Sequence, residues 1–195
     1  MLAPLLSVSI PDELIQTVDA DFRISAKTSI YRSKPSLPAR HFIEIGQLDS
    51  VGSLLHFGKG KYDVDSVELA KHVTALIDYD YTYCKTDIIG QHFDAVIAIY
   101  VLNTLPPQAR AVAWQQIKTA TRNSTGKALI AVRSDKEKVK NGQPQYDGLR
   151  MVTGTFQTFY NPQKIMDEAL EYFEHVEVIK YVSGMLLAVC RSPRV

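Results

Sequence analysis

Cysteine is scarce in this 195-residue chain, which contains only Cys84 and Cys190. The two lie far apart and form neither a CxxC pair nor a cluster with histidine, so a disulfide framework and a metal site are both disfavoured. A large charge of one sign is also absent, because 22 lysines and arginines face 21 aspartates and glutamates. The net charge of +1 therefore gives no overall basic field that would indicate nucleic acid.

Long apolar runs are missing as well. No segment approaches the roughly 20 apolar residues that a membrane span requires. The opening MLAPLLSVSIP has no basic region and is interrupted by Pro4 and Pro11, unlike a signal peptide. We therefore expect no membrane partner and a cytoplasmic location. With 46% hydrophobic residues, the chain fits one ordinary globular domain.

Strand-like and helix-like segments alternate from residue 51 onwards. The strand-like segments are VGSLLHF, TALIDYD, FDAVIAIYVL and KALIAVR, and the helical ones are DSVELAKHV, PPQARAVAWQQIKTATRN and NPQKIMDEALEYF. The strands are continuously apolar, which predicts an α/β fold with a mostly parallel sheet and helices on both faces. The ending VEVIKYVSGMLLAVCR predicts a C-terminal antiparallel hairpin that turns at Ser183-Gly184.

The first 50 residues have a different pattern. IPDELIQTVDADF favours one short helix, and Pro38 suits the first turn of a second. We therefore expect an N-terminal helical cap or lid over 1–50 and the main domain over 51–195. The segment AKTSIYRSKPSLPAR between the two helices places Lys27 and Arg32 near Tyr31. It is either a basic, aromatic surface that contacts phosphates or a solvated part of the cap.

A glycine-rich turn follows the first strand in LLHFGKGKYDVDS. Gly58 and Gly60 allow a tight bend and close approach of the backbone to a ligand. The turn lacks the GxxxxGK[ST] pattern of a P-loop. Asp80 ends the second strand 20 residues after Gly60, the spacing at which an acid accepts hydrogen bonds from a cofactor ribose, and Asp78 is a second candidate on the same strand face. The pattern leaves adenosyl and dinucleotide cofactors open.

These segments resemble the class I S-adenosylmethionine-dependent methyltransferases. LLHFGKGKYDVD is similar to their glycine-rich motif, ALIDYD to their second-strand acid, and the block 93–133 to the strand, helix and strand that follow. The resemblance covers about residues 50–190. It implies a Rossmann-like sheet, S-adenosyl-L-methionine as cofactor and methyl transfer to an acceptor. It fits better than a nicotinamide-dependent oxidoreductase because of the late hairpin.

The resemblance also implies roles for individual residues. The glycines would lie against the methionine portion, Asp80 would hold the ribose, and Tyr81 would contact the adenine. The implied cofactor-binding residues are His56, Phe57, Gly58, Lys59, Gly60, Asp80, Tyr81, Tyr100 and Val101. Two positions depart from the family: His56 stands where an acid is usual, and Tyr62 where a small residue is usual. The alternative is therefore a non-catalytic binding or assembly module with a degenerate cofactor site.

The acceptor is less well indicated. The candidate substrate-binding residues are Lys27, Arg32, Asn103, Arg133 and Tyr160, and no catalytic residue is assigned. Asn103 either faces the substrate or caps the following helix. The leader is similar to the start of methyltransferases associated with DNA phosphorothioation systems, which slightly favours nucleic acid over a small molecule. NTLPP, however, is not the NPPY-type signature of amino-methylating DNA enzymes.

Overall fold

A six-stranded sheet forms the centre of the protein, and helices cover both of its faces. The computed structural model describes residues 12–137 and 141–194. The opening segment MLAPLLSVSIP, where the leader was predicted to begin, lies outside the described residues. No helix in the described part of the chain is long and apolar enough to cross a membrane.

The structure contains five α-helices and nine strands within the described ranges. The helices are α1 (Asp12–Ser25), α2 (Leu37–Glu44), α3 (Val64–Leu69), α4 (Pro107–Ala120) and α5 (Pro162–Leu170). The strands are β1 (Ser53–Phe57), β2 (Ala75–Tyr79), β3 (Ala95–Ile99), β4 (Lys127–Val132), β5 (Gln143–Gln145), β6 (Gly148–Arg150), β7 (Phe156–Thr158), β8 (Phe173–Val182) and β9 (Met185–Pro193). Short 3-10 helices follow α1 and α3 and precede α4.

The main sheet has the strand order β2-β1-β3-β4-β9-β8. The first four strands are parallel, whereas β9 runs antiparallel to both β4 and β8. The predicted α/β architecture with a mostly parallel sheet and a terminal hairpin is therefore confirmed. β3 and β4 are almost wholly buried, because strands with helices on both faces need apolar side chains on both faces.

Alternate residues of each central strand enter two different cores. Leu55 and Phe57 of β1 join the core beneath α1, α4 and α5, whereas Leu54 joins the core beneath α2 and α3. The leader contributes to both, because Phe22 of α1 is buried in the first core and Phe42 of α2 in the second. The division into a cap and a main domain stays a prediction. The leader nevertheless crosses from one face of the sheet to the other.

A second, three-stranded antiparallel sheet was not predicted from the sequence. It is formed by β5, β6 and β7, and part of it falls in the polar segment SDKEKVKNGQPQYDG, residues 134–148, which gave no strand-like pattern. Each strand has only three residues, and β5 reads Gln-Pro-Gln, so no apolar alternation was present to indicate it. Its last strand buries Phe156, which is only 1% exposed.

A buried polar network joins this small sheet to α4 and α5. The Arg110 guanidinium, only 6% exposed, pairs with Asp147 and lies 3.2 Å from Glu168 Oε1. The Tyr160 hydroxyl donates to Glu168 at 2.9 Å, and Lys164 Nζ lies 2.7 Å from Asp147 Oδ2. Because each buried charge has an oppositely charged partner, removal of one member leaves the others uncompensated.

We expect Arg110→Met to lower the free energy of unfolding by about 3 kcal/mol, because it leaves the partly buried Glu168 without its cation and Asp147 with Lys164 alone. The matched control is Arg191→Met, since Arg191 makes a 3.7 Å pair with Glu177 and both side chains are largely exposed. The control should cost less than about 1 kcal/mol. Urea denaturation measures both values, and equal losses would contradict the structural role of the network.

Candidate functional site

A cavity opens at the carboxyl ends of β1, β2 and β3, beneath the segment that connects α1 to α2. This edge of an open parallel sheet is where ligands bind. The strand ends contribute His56, Phe57, Gly58, Lys59, Gly60, Tyr79, Asp80, Tyr81, Ile99, Tyr100 and Val101. The leader, the start of α3 and the 3-10 turn before α4 contribute Phe22, Ser25, Ala26, Thr28, Ser29, Ile30, Arg32, Tyr62, Val64, Asp65 and Thr104.

The glycine turn bends sharply at two positions. Gly58 and Gly60 have φ values of 70° and 73°, in the region that residues with a side chain rarely adopt. A Cβ on Gly58 would lie 2.4 Å from Val101 Cγ2, and one on Gly60 would lie 2.7 Å from Ser29 Oγ. Glycine is therefore required at both positions by backbone conformation and by close packing.

The Asp80 carboxylate lies directly against this turn. Its Oδ2 accepts the Gly60 N–H at 2.9 Å, and its Oδ1 accepts the N–H groups of Thr82 and Tyr83 at 2.8 and 2.9 Å. An ionised carboxylate has about four acceptor positions, so about one remains for a ligand. Asp80 is 8% exposed and borders the cavity. The bend and the acid that the sequence pairs by spacing thus meet at one rim.

His56 is held from behind by an acid on the neighbouring strand. Ser66 Oγ donates to Asp78 Oδ1 at 2.7 Å, so its oxygen accepts from His56 Nδ1 at 3.0 Å. This arrangement places a proton on Nδ1 and, in a neutral ring, leaves Nε2 as an acceptor. His56 and Asp78 are register partners in β1 and β2. The resemblance leads us to expect an acid at position 56. The histidine found there is instead linked, through Ser66, to an acid on the neighbouring strand.

Burial raises the pKa of Asp78, but the hydrogen bonds that involve His56 and Ser66 outweigh this effect. The net result holds the pKa of this carboxyl below its ordinary value of 3.8. Asp78 faces this network and does not border the cavity. Between the two candidate acids, the structure therefore brings Asp80 to the cavity.

Tyr62, the second position that departs from the pattern of the resembled family, lines the cavity and packs against an aromatic residue of the leader. The Tyr62 ring meets the Tyr31 ring edge-on, with centroids 5.4 Å apart. Lys59 borders the cavity, but its ammonium pairs with Asp63. The Lys61 ammonium lies 5.7 Å from the Tyr62 ring centroid and is exposed. Of the two lysines in the turn, Lys59 is thus neutralised by Asp63.

Several contacts fix the leader against the cavity. The Tyr81 ring stacks on Phe22 with centroids 5.0 Å apart, and its hydroxyl donates to Asp19. Burial, together with this bond, raises the pKa of Tyr81 to about 12. Ser29 Oγ accepts the Lys61 N–H at 2.9 Å. The leader therefore forms a wall of the cavity that touches both the glycine turn and the end of β2.

Tyr100, directly after β3, has an unusual backbone conformation. Its φ of 59° lies in the left-handed region, where a bulky aromatic residue is an outlier, and such outliers concentrate at functional sites. The Tyr100 N–H still extends the sheet by donating to Ala131 O at 2.8 Å. Burial raises the pKa of its hydroxyl. Val101 follows it into the cavity wall.

The candidate substrate residues do not assemble as a group. Only Arg32 borders the cavity, and Lys27 is exposed beside it. Arg133 pairs with Glu137 at 2.8 Å, and Tyr160 is fully buried in the network described above. The interpretation of Asn103 as a helix cap is wrong, because the N-cap of α4 is Pro106. Asn103 is buried, and its Oδ1 accepts the N–H of Arg133 at 3.3 Å.

Several cavity residues carried no signal in the sequence. Phe22, Ser29 and Asp65 reach the site only because the leader crosses the strand ends and α3 begins there. A helical pattern such as that of α1 indicates which face is buried but not which residue borders a cavity. Motif spacing in the sequence therefore identifies the cavity residues at the strand ends but not those that the leader contributes.

The chain matches no protein-family model and no curated protein sequence, but its fold matches solved structures. The DhpI–SAH complex is 16% identical, with a TM-score of 0.63, and the match covers 94% of this chain and 98% of that chain. Burkholderia thailandensis 1,6-didemethyltoxoflavin-N1-methyltransferase, with 1,6-didemethyltoxoflavin and S-adenosylhomocysteine bound, is 15% identical with a TM-score of 0.60, over 96% and 92% of the two chains. Bradyrhizobium japonicum N-methyltransferase NodS is 14% identical with a TM-score of 0.55, over 93% and 99%.

At these identities the similarity is one of fold. The predicted resemblance to class I methyltransferases is confirmed at that level, together with the Rossmann-like sheet. The match extends over nearly the whole of these chains.

The low pKa of Asp78 has a consequence for stability. A carboxyl whose pKa is depressed on folding stabilises the protein above its ordinary pKa, and this contribution is lost as the pH falls through the folded value. We expect Asp78→Asn to lower the free energy of unfolding by about 1.5 kcal/mol at pH 7. The difference from the unmodified protein should shrink below pH 4. Denaturation at pH 7 and pH 3 tests this, and a difference independent of pH would contradict it.

Proposed function

We propose that the protein is an S-adenosylmethionine-dependent methyltransferase. The observation that carries the proposal is the 2.9 Å hydrogen bond between the Gly60 amide and the Asp80 carboxylate at the carboxyl edge of the sheet. It brings a bare-backbone turn and a ribose-binding acid to one cavity. The fold of solved methyltransferases, some of them complexes with SAH, gives the proposal independent support.

The residues of the cavity fit an adenosyl cofactor. Asp80 keeps an acceptor position for a ribose hydroxyl, and Tyr81 with Phe22 forms an aromatic wall beside it. The turn at Gly58 and Gly60 presents backbone without side chains. His56 Nε2, in the neutral ring, would accept a hydrogen bond from the amino group at the other end of the cofactor. When bound, the cofactor supplies an activated methyl group on a sulfonium.

The chain's own contribution is binding and orientation. Methyl transfer requires in-line approach of the acceptor atom, and much of its barrier is lowered by holding two reactants in the right geometry. The leader contributes one wall of the cavity at the strand ends. Tyr100 and Val101, which leave β3 in a constrained conformation, would border the acceptor. No residue of the cavity is assigned as a base.

We propose a small-molecule acceptor. The leader segment 26–40 has four basic residues. Only Arg32 borders the cavity, whereas Lys27, Lys34 and Arg40 are exposed and do not line it. The cavity is roofed by the leader, which favours a compact acceptor over a nucleic-acid strand. The B. thailandensis structure holds a small molecule beside S-adenosylhomocysteine, whereas the comparisons give the nucleic-acid acceptor expected from the leader no support.

The alternative is a module that keeps the fold without binding the cofactor. It drew on the departures at positions 56 and 62. His56 is held in a tautomer that can still accept a hydrogen bond, and Tyr62 packs against Tyr31. Neither side chain replaces the glycine turn or displaces Asp80, so cofactor binding is the better supported function.

We expect S-adenosylhomocysteine to bind and to raise the melting temperature, since a ligand that binds only the folded state stabilises it by mass action. NAD should give no comparable shift. Asp80→Asn should weaken binding about 10-fold or more, because a charge-assisted hydrogen bond to the ribose is lost. A thermal-shift assay measures the change in melting temperature, and isothermal titration calorimetry measures the affinities. Flat traces for all nucleotides would support the non-catalytic module instead.

The acceptor requires a separate experiment. Methyl transfer from labelled S-adenosylmethionine should be screened over metabolite pools, DNA, tRNA and protein. Label in the small-molecule fraction would support the proposed acceptor class. Label in nucleic acid alone would overturn that class while leaving the methyltransferase assignment intact.

A further inference from the structure

Arg32 is the cation of the cavity that has no charged partner in the described part of the chain. It borders the cavity and is half-buried. No ion pair or hydrogen bond of its guanidinium is found among the residues described, whereas the other cavity lysine or arginine, Lys59, pairs with Asp63. The charge of Arg32 reaches into the site, since it acts to lower the pKa of the Tyr100 hydroxyl against the larger effect of burial. A half-buried guanidinium without a counter-ion is suited to an anionic ligand.

The position of Arg32 along the cavity follows from the anchors on either side of it. Ser29 lies against Gly60 and accepts the Lys61 N–H, whereas the Ser36 N–H donates to Asp65 Oδ1 at 2.6 Å. The segment between these anchors therefore runs from the glycine turn to the start of α3. Asp80 contacts the same turn from the end of β2. Arg32 thus belongs to the end remote from the proposed nucleoside site.

That remote end carries both signs of charge and an acceptor. Asp65 and Arg32 border it together, and they form no ion pair of 4.0 Å or less among the described residues. His56 lines the same end from β1. An α-amino-carboxylate presents one carboxylate and one ammonium, so it matches a guanidinium beside a carboxylate and an imidazole. A purely anionic ligand would leave Asp65 facing a like charge.

We propose that Arg32 binds the carboxylate of the cofactor's methionine end, with Asp65 and His56 on the side of its ammonium. This inference rests on the proposed function, and it moves Arg32 from the acceptor site, where the sequence suggested it, to the cofactor site. The glycine turn contributes no free cation to the cavity, because Lys59 is paired with Asp63 and Lys61 does not border the cavity. The leader therefore supplies the carboxylate site, and cofactor binding fixes the leader in place.

The test compares two ligands that differ only in this end. S-adenosylhomocysteine carries the amino-acid group, whereas 5′-methylthioadenosine has the same nucleoside and sulfur without it. Titration calorimetry with the full chain should be run on the unmodified protein, on Arg32→Gln and on Lys34→Gln. Lys34 is the matched control, because it is an exposed cation two residues away that does not border the cavity.

We expect Arg32→Gln to weaken S-adenosylhomocysteine about 10- to 100-fold, the range for hydrogen bonds to charged groups. Its affinity for 5′-methylthioadenosine should be unchanged, and Lys34→Gln should leave both affinities unchanged. Arg32→Lys, which keeps the charge but not the two-pronged geometry, should fall between the unmodified protein and Arg32→Gln.

Other outcomes would overturn the inference. An equal loss for both ligands would make Arg32 a structural residue of the leader. Unchanged affinity for S-adenosylhomocysteine would exclude the cofactor carboxylate, and a raised KM for an anionic acceptor in the same variant would then assign Arg32 to the acceptor. Failure of the unmodified protein to bind either ligand would overturn the proposed function, and the assignment of Arg32 with it.

Discussion

The bond between the Asp80 carboxylate and the Gly60 amide is the constraint on which the site depends. It joins the end of β2 to the turn after β1, and the same carboxylate also caps the turn that follows β2. Two loops that are 20 residues apart in sequence are thereby fixed at one rim. The remaining walls, from β3 and from the leader, are arranged around this junction.

The leader forms one wall of the site because its two helices pack on opposite faces of the sheet. Phe22 packs in one core and Phe42 in the other, so the connecting segment must pass over the strand ends. The hydrogen bond from the Lys61 amide to Ser29 and the stacking of Tyr81 on Phe22 then place this segment against the motif residues. Local patterns reveal each helix, but the crossing is a property of the whole fold.

Sequence reasoning succeeded where the physical requirement was local. A few neighbouring residues are enough to indicate a continuous apolar strand or the Ser-Gly turn of the hairpin. The same is true of the glycine turn, which an acid follows at a fixed spacing. It failed where a residue's position depends on contacts with residues far away in the sequence. The buried position of Tyr160 depends on Arg110 and Glu168, and the pairing of His56 with Asp78 depends on the register of two strands. Very short strands with polar sequences, such as β5, have no local pattern that would indicate a strand.

The crossing leader is anchored on both sides of the cavity. Phe22 of α1 is buried in one core and Phe42 of α2 in the other, so the stretch between the two helices is fixed at both of its ends. Deletion of the segment up to α2 would remove the leader's wall of the cavity. It would also remove buried side chains such as Val18 and Phe22, and so would expose one of the two cores to solvent.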